Sequence, residues 1–158
     1  MAGGGPRDAG ADAAGAFSRG KTLLAVALAW AVPGLGHVVL GRVRRGILFF
    51  VLIAGSFALG LAHDGRLALR DPRQSVLTTL QIVANAGVGP ADPAARWAVY
   101  GEIAYSMPQD PSSRRLVIFR DRTRSALSMY GTAYLWTAGL MNLLLLFDVW
   151  DIGRGRKA

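Results

Sequence analysis

The chain has 158 residues, 52% of them hydrophobic, with a mean hydropathy of +0.31 and a formal charge of +8. That length holds one domain, and the apolar fraction lies at the upper edge of what water-soluble domains carry. The absence of cysteine excludes disulfides and thiolate metal sites. The positive charge is nearly all arginine, set beside apolar runs where anionic lipid headgroups attract each cation by about 1 kcal/mol.

Residues 1–20, rich in Gly and Ala with Arg7, Asp8 and Asp12, hold too little apolar area to offset their ordering entropy and are expected to form a disordered tail. Three uncharged apolar runs follow, 22–41, 46–62 and 125–147. Each approaches the roughly 20 residues a helix needs to cross a bilayer. A soluble core would spread its apolar residues at a period of 3.6 or 2; here they are gathered in blocks. The expected fold is an all-α integral membrane protein with three transmembrane helices and an interfacial helical layer between the second and third. The segments are a transmembrane hairpin over 21–63, a connector over 64–124, a third transmembrane helix over 125–152 and a basic tail over 153–158. A signal peptide cleaved near Ala29-Trp30-Ala31 is the rival reading; the bulky Trp30 and the apolar continuation through Val38, Val39 and Leu40 argue against it.

Within the first run, Pro33 removes a backbone donor and frees the carbonyl of Ala29, so a kink is expected there. Gly34 and Gly36 let a neighbouring backbone approach, which marks a packing face. His37 lies about one turn beyond. Its bland role is to snorkel or to bond a backbone carbonyl; its sharper role is to handle a proton or ligand inside the membrane.

The segment Gly41-Arg42-Val43-Arg44-Arg45-Gly46 reads as a tight basic turn. In the second run, Ser56 and Gly60 offer a small-residue groove for a neighbouring helix. Pro33-Gly34-Leu35-Gly36-His37, Leu40-Gly41-Arg42, Arg45-Gly46 and Phe49-Phe50 together resemble the signature of small bacterial multi-pass proteins of unknown function. These are in turn distantly similar to the two-transmembrane helical-hairpin domain, although Val38 and Val39 stand where that domain usually carries an aromatic pair. Gly131-Thr132, Gly139-Leu140, Asn142-Leu143 and the stretch from Asp148 to Asp151 are similar to the closing helix of the same bacterial family. The resemblance implies architecture and brings no activity with it.

The connector is too long for a turn and too polar to span. Val76, Leu77, Leu80, Ile82, Val83 and Ala84 form an apolar patch suited to an interfacial or re-entrant helix. Trp97, Tyr100 and Ala104 recur at helical spacing and predict a second interfacial helix, broken by Pro108 and Pro111. Leu116-Val117-Ile118-Phe119 is expected as a short strand or extended segment between Arg114, Arg115, Arg120 and Arg122. No aromatic residues interleave with those arginines, so a solvated or lipid-facing cluster is expected and no nucleic-acid partner.

Tyr130 and Tyr134 at one end of the third run and Phe147 and Trp150 at the other fit aromatic anchors at two interfaces. Asn142, deep in that run, needs amide partners and is expected to find them on the first or second helix. Asp148 and Asp151 stand three apart and share a helix face. A cation site or an acid-base pair is their functional reading, and an ion pair of Asp151 with Arg154 the structural one. With three crossings, Arg42, Arg44 and Arg45 fall on the same side as Arg154, Arg156 and Lys157. The positive-inside rule then puts both clusters in the cytoplasm and the N-terminus outside the bacterial inner membrane, although Arg19, Lys21, Arg122 and Arg124 pull the other way.

No nucleophile elbow, phosphate-binding loop or His-Glu-x-x-His pair is present, and the Gly34, Gly36 pair lacks the third glycine of a dinucleotide fingerprint. Neither cofactor nor metal is assigned. Two functions remain: a non-enzymatic accessory or scaffold packing with itself or another membrane protein in the lipid bilayer, and a membrane-embedded enzyme or small-solute handler using His37 with Asp148 or Asp151.

Overall fold

In the computed structural model, residues 17–157 are described, and most of the tail expected to be disordered lies outside them. Two helices form the frame. α3 (Val43–Ala62) and α7 (Ser128–Gly153) are long and apolar enough to cross a membrane. At 1.5 Å per residue they extend about 30 Å and about 39 Å. They run antiparallel, because Gly60 near the end of α3 sits on Leu135 and the carbonyl of Gly131 near the start of α7.

The run 22–41 is not one kinked crossing. It forms α1 (Arg19–Ala31) and the short α2 (Leu35–Val39), with Pro33 and Gly34 in the turn between them. Gly34 has φ +82°, a left-handed conformation that reverses the chain, and the missing side chain lets its backbone lie on Gly46 and Phe50 of α3. A kink would have kept one helix direction; the Pro-Gly pair ends the helix outright. α2 then returns along α1, with Gly36 against Ala25, Ala29 and Val149. Ser18 caps α1, its hydroxyl accepting from the Lys21 amide at 3.3 Å.

α1 starts beside the end of α7: the Phe17 amide donates to the Gly153 carbonyl at 3.0 Å, and the Thr22 hydroxyl to the same oxygen at 3.2 Å. Ala25, Ala29, Leu40, Val149 and Ile152 form the core at this end. The first described residues therefore share an end of the molecule with the C-terminal tail. Three complete crossings would have put them at opposite ends; with α1 turning back halfway, Arg19 and Lys21 join the other basic residues.

The apolar patch of the connector forms α4 (Ser75–Ala86), preceded by a 3-10 turn at Pro72–Gln74. α4 lies beside the first half of α7, with Gly87 against Gly139 and the carbonyl of Ala84 on the same glycine. After a turn through Gly89 (φ +69°), α5 (Ala91–Tyr100) follows. It stops at Gly101 (φ +80°), before Ala104 and before the prolines expected to end it. α6 (Arg114–Arg124) occupies the stretch expected to be extended. The Ser113 hydroxyl accepts from the Leu116 amide and so nucleates a helix, with Ile118 and Phe119 packed on Leu67, Leu69 and Leu135. Among the described residues, extended chain pairs only at one bridge, Arg70 with Ser106.

α1 and α4 together line the length of α7. Thr22 meets Gly153, Ala84 meets Gly139, and the turn after α4 reaches the end of α1, where Gly89 lies on the carbonyl of Trp30. Their 13 and 12 residues give about 20 Å and about 18 Å, which together match the length of α7.

Candidate functional site

The reversal at Gly34 carries His37 into the core at the basic end, where it is fully buried. Its Nε2 lies 3.0 Å from Oδ2 of Asp148 on α7, and its ring packs on Phe49 of α3 with centroids 5.1 Å apart. Neither a snorkelling imidazole nor a bond to a backbone carbonyl describes this: the partner is a carboxylate 111 residues away. The second oxygen of Asp148 accepts from the Lys157 ammonium at 2.7 Å. That carboxylate holds the Lys157 amine above the ordinary lysine value. Arg42 donates to the Lys157 carbonyl at 3.3 Å, which ties the basic turn to the tail.

Asp151 stands apart from this cluster. It faces Arg156 at 3.6 Å and not Arg154, whose guanidinium lies 5.1 Å over the Trp150 ring. The two aspartates thus serve different cations, although three-residue spacing puts them on one face. Arg44 and Arg45 are exposed beside Arg42. Among the described residues, no three histidine or carboxylate side chains gather as a metal site would require.

Asn142 is fully buried, and its Nδ2 donates to the Gly87 carbonyl at 2.8 Å. The expected partner on the first or second helix is replaced by the turn after α4, because that turn occupies the space at this level of α7. Gly60 is buried against α7, while Ser56 is half-buried.

A second polar cluster escaped the sequence reading. Asp92 and Arg96 on α5 are wholly buried, with Nε of Arg96 2.9 Å from Oδ2 of Asp92. The same guanidinium donates to the carbonyls of Ala68 and Ala104 at 2.9 and 3.0 Å and lies 4.1 Å over the Tyr105 ring. An Asp and an Arg four apart read as a surface pair on a helix. The available signal was that Ala91, Ala94, Trp97 and Ala98, on the other side of α5, carry no charge.

Tyr100 closes α5 and donates to the Leu67 carbonyl at 3.1 Å. Burial pushes its phenol up to about 12. A folded-state value above the unfolded one contributes stability that is complete below the ordinary phenol value near 10 and falls away as pH rises through about 12. Absorbance titration of the folded protein at 295 nm is therefore expected to leave this tyrosine protonated while exposed tyrosines ionise. Four tyrosines ionising together near pH 10 would refute its burial.

A cavity of ≈ 230 Å³ lies between α4, α7 and the segment after α3, bordered by Arg66, Gln81, Thr132 and Trp136. The Arg66 Nε and Trp136 Nε1 donors are buried without partners. Its chemistry suits hydrogen-bond acceptors.

No curated protein and no solved structure matches the chain. A family model described as a family of unknown function matches residues 24–158, from within α1 through the tail that holds Asp148. The chain belongs to that family, DUF6677.

Proposed function

We propose that this chain is a polytopic protein of the bacterial cytoplasmic membrane that acts as a non-enzymatic accessory or scaffold, with its basic end in the cytoplasm. α3 supports the membrane assignment: Ile47, Leu48, Val51 and Leu52 are exposed around it, which lipid tolerates and water does not. The occupancy of Asp148 carries the scaffold reading. Both carboxylate oxygens are taken, one by the His37 ring and one by the Lys157 ammonium. A carboxylate engaged on both sides joins α2, α7 and the tail. The exposed Arg44, Arg45, Arg154 and Arg156, with the half-buried Arg42, surround this clamp and suit anionic headgroups or an acidic partner surface. The resemblance of the Pro33 to Phe50 motifs to small bacterial multi-pass proteins supports the same membrane-embedded reading.

Asp148→Asn tests the clamp. The variant is expected to stay in the alkali-washed membrane fraction while its tail becomes cleavable by protease at least several-fold faster. An unchanged cleavage rate would refute the clamp, and recovery of the wild-type chain in the aqueous supernatant would refute membrane residence.

One observation favours a second reading, a proton or small-solute handler. The Nδ1 of buried His37 has no hydrogen-bond partner, and a groove lined by Phe49, Met141 and Leu144 opens beside Asp148. His37→Ala distinguishes the two. Loss of a growth phenotype with detergent-stable complexes intact supports chemistry at His37; loss of the complexes supports the scaffold.

A further inference from the structure

We infer that the α4–α5 hairpin enters the bilayer from the end opposite the basic turn and returns to the same side. With α1 entering from the other end, the two form a discontinuous third crossing against α7. This rests on the membrane residence proposed above and deepens it by naming a further lipid-contacting surface, whose occupant is the acyl chain region.

The hairpin is amphipathic in the sense opposite to a soluble one. Its outer surface carries Val76 at 78% exposure, Leu80 at 62%, Val83 at 51% and Trp97 at 65%. Its inner surface carries Thr78, Asn85, Asp92 and Arg96, all buried. In water, an Asp-Arg pair faces solvent and apolar residues face the core. Here the ion pair is turned inward and the outer face of α5 holds only alanines and a tryptophan, the arrangement hydrocarbon demands.

Depth follows from the partners on α7. The turn after α4 is level with Gly139 and Asn142, near the middle of a helix that begins at Ser128 and ends at Gly153. The outer face of α4 therefore continues the lipid-exposed surface of the frame into the bilayer. Irregular backbone at such depth requires protein partners. Gly87 has one, since its carbonyl accepts from Asn142, and glycines at 87, 89 and 139 let three backbones converge. Two half-helices, bridged by the turn at Gly89 that lies on Trp30, then match the one continuous helix beside them.

The natural chain contains no cysteine, so single cysteines report depth without interference. Arg73→Cys, Val83→Cys, Ala91→Cys and Glu102→Cys, with Val51→Cys on α3 as reference, are placed in sealed membrane vesicles of known orientation and treated with a charged maleimide. Arg73→Cys and Glu102→Cys are expected to label from one and the same side. Val83→Cys and Ala91→Cys are expected to label at least tenfold more slowly and to recover after detergent denaturation, as Val51→Cys does. Rapid labelling of Val83→Cys and Ala91→Cys with Val51→Cys still protected would overturn the re-entrant hairpin and leave membrane residence intact. Labelling of Arg73→Cys and Glu102→Cys from opposite sides would also overturn it. Rapid labelling of Val51→Cys would overturn membrane residence, and the hairpin with it.

Discussion

Arg96→Met is expected to destabilise the protein by about 3 to 5 kcal/mol, because it leaves the Asp92 carboxylate buried without a counter-charge. In detergent this corresponds to a drop of roughly 10 °C in the thermal midpoint. The loss exceeds that of a surface pair, since Arg96 holds three elements: Asp92 on α5, the Ala68 carbonyl in the segment after α3 and the Ala104 carbonyl after α5. Removing both charges with Asp92→Leu and Arg96→Met is expected to cost less than removing the arginine alone, as an apolar pair of similar size requires no compensating charge. Double-mutant analysis of the two unfolding midpoints checks this. A single mutant that unfolds at the wild-type temperature would show that the pair lies in water.

Gly139→Val is expected to part α4 from α7. A Cβ at this position would fall on the carbonyl of Ala84, and a backbone atom cannot swing aside as a side chain can. Overpacking of this kind costs about 1 to 3 kcal/mol or more. Separating the helices also strands the Gly87 carbonyl and the Asn142 amide, which are paired across the same contact. The expected outcome is a lowered midpoint together with protease cleavage between α4 and α5, at a site protected in the wild type. Gly55→Val, where nothing lies near the added carbon, is the control and is expected to leave both unchanged.

Much of this architecture is legible because long apolar runs mark long helices. The runs 46–62 and 125–147 became α3 and the body of α7, with Tyr130 and Phe147 exposed near its two ends. The first run misled because hydropathy does not distinguish a crossing from a hairpin of the same composition. Pro33 alone bends a helix; Pro33 followed by left-handed Gly34 turns it back, and the choice depends on the close approach to Gly46 and Phe50. The β-branched content of residues 116–119 points to extended chain, whereas the cap at Ser113 governs that stretch.

Site chemistry was legible where it depended on type and failed where it depended on distance. His37 and Asn142 stand out as polar groups in apolar runs and Asp148 as a carboxylate just past the end of one, and all three carry hydrogen bonds to distant segments. No spacing reveals that Asp148 bonds both His37 and Lys157 while Asp151 turns to Arg156. Asp92 and Arg96 do not stand out because their connector is polar on average, and averaging hides a helix whose charges point inward.

The meeting of Trp30 with Gly89 joins two stretches made far apart in synthesis. The end of α1 gains this neighbour only when a loop 59 residues later has been made, and its contacts with α7 only later still. On the membrane residence proposed above, a ribosome that has delivered α1 through α3 has released a wall still lacking the α4–α5 hairpin and α7. Truncation before α7 should accordingly yield not a smaller membrane protein but a substrate for quality-control proteolysis.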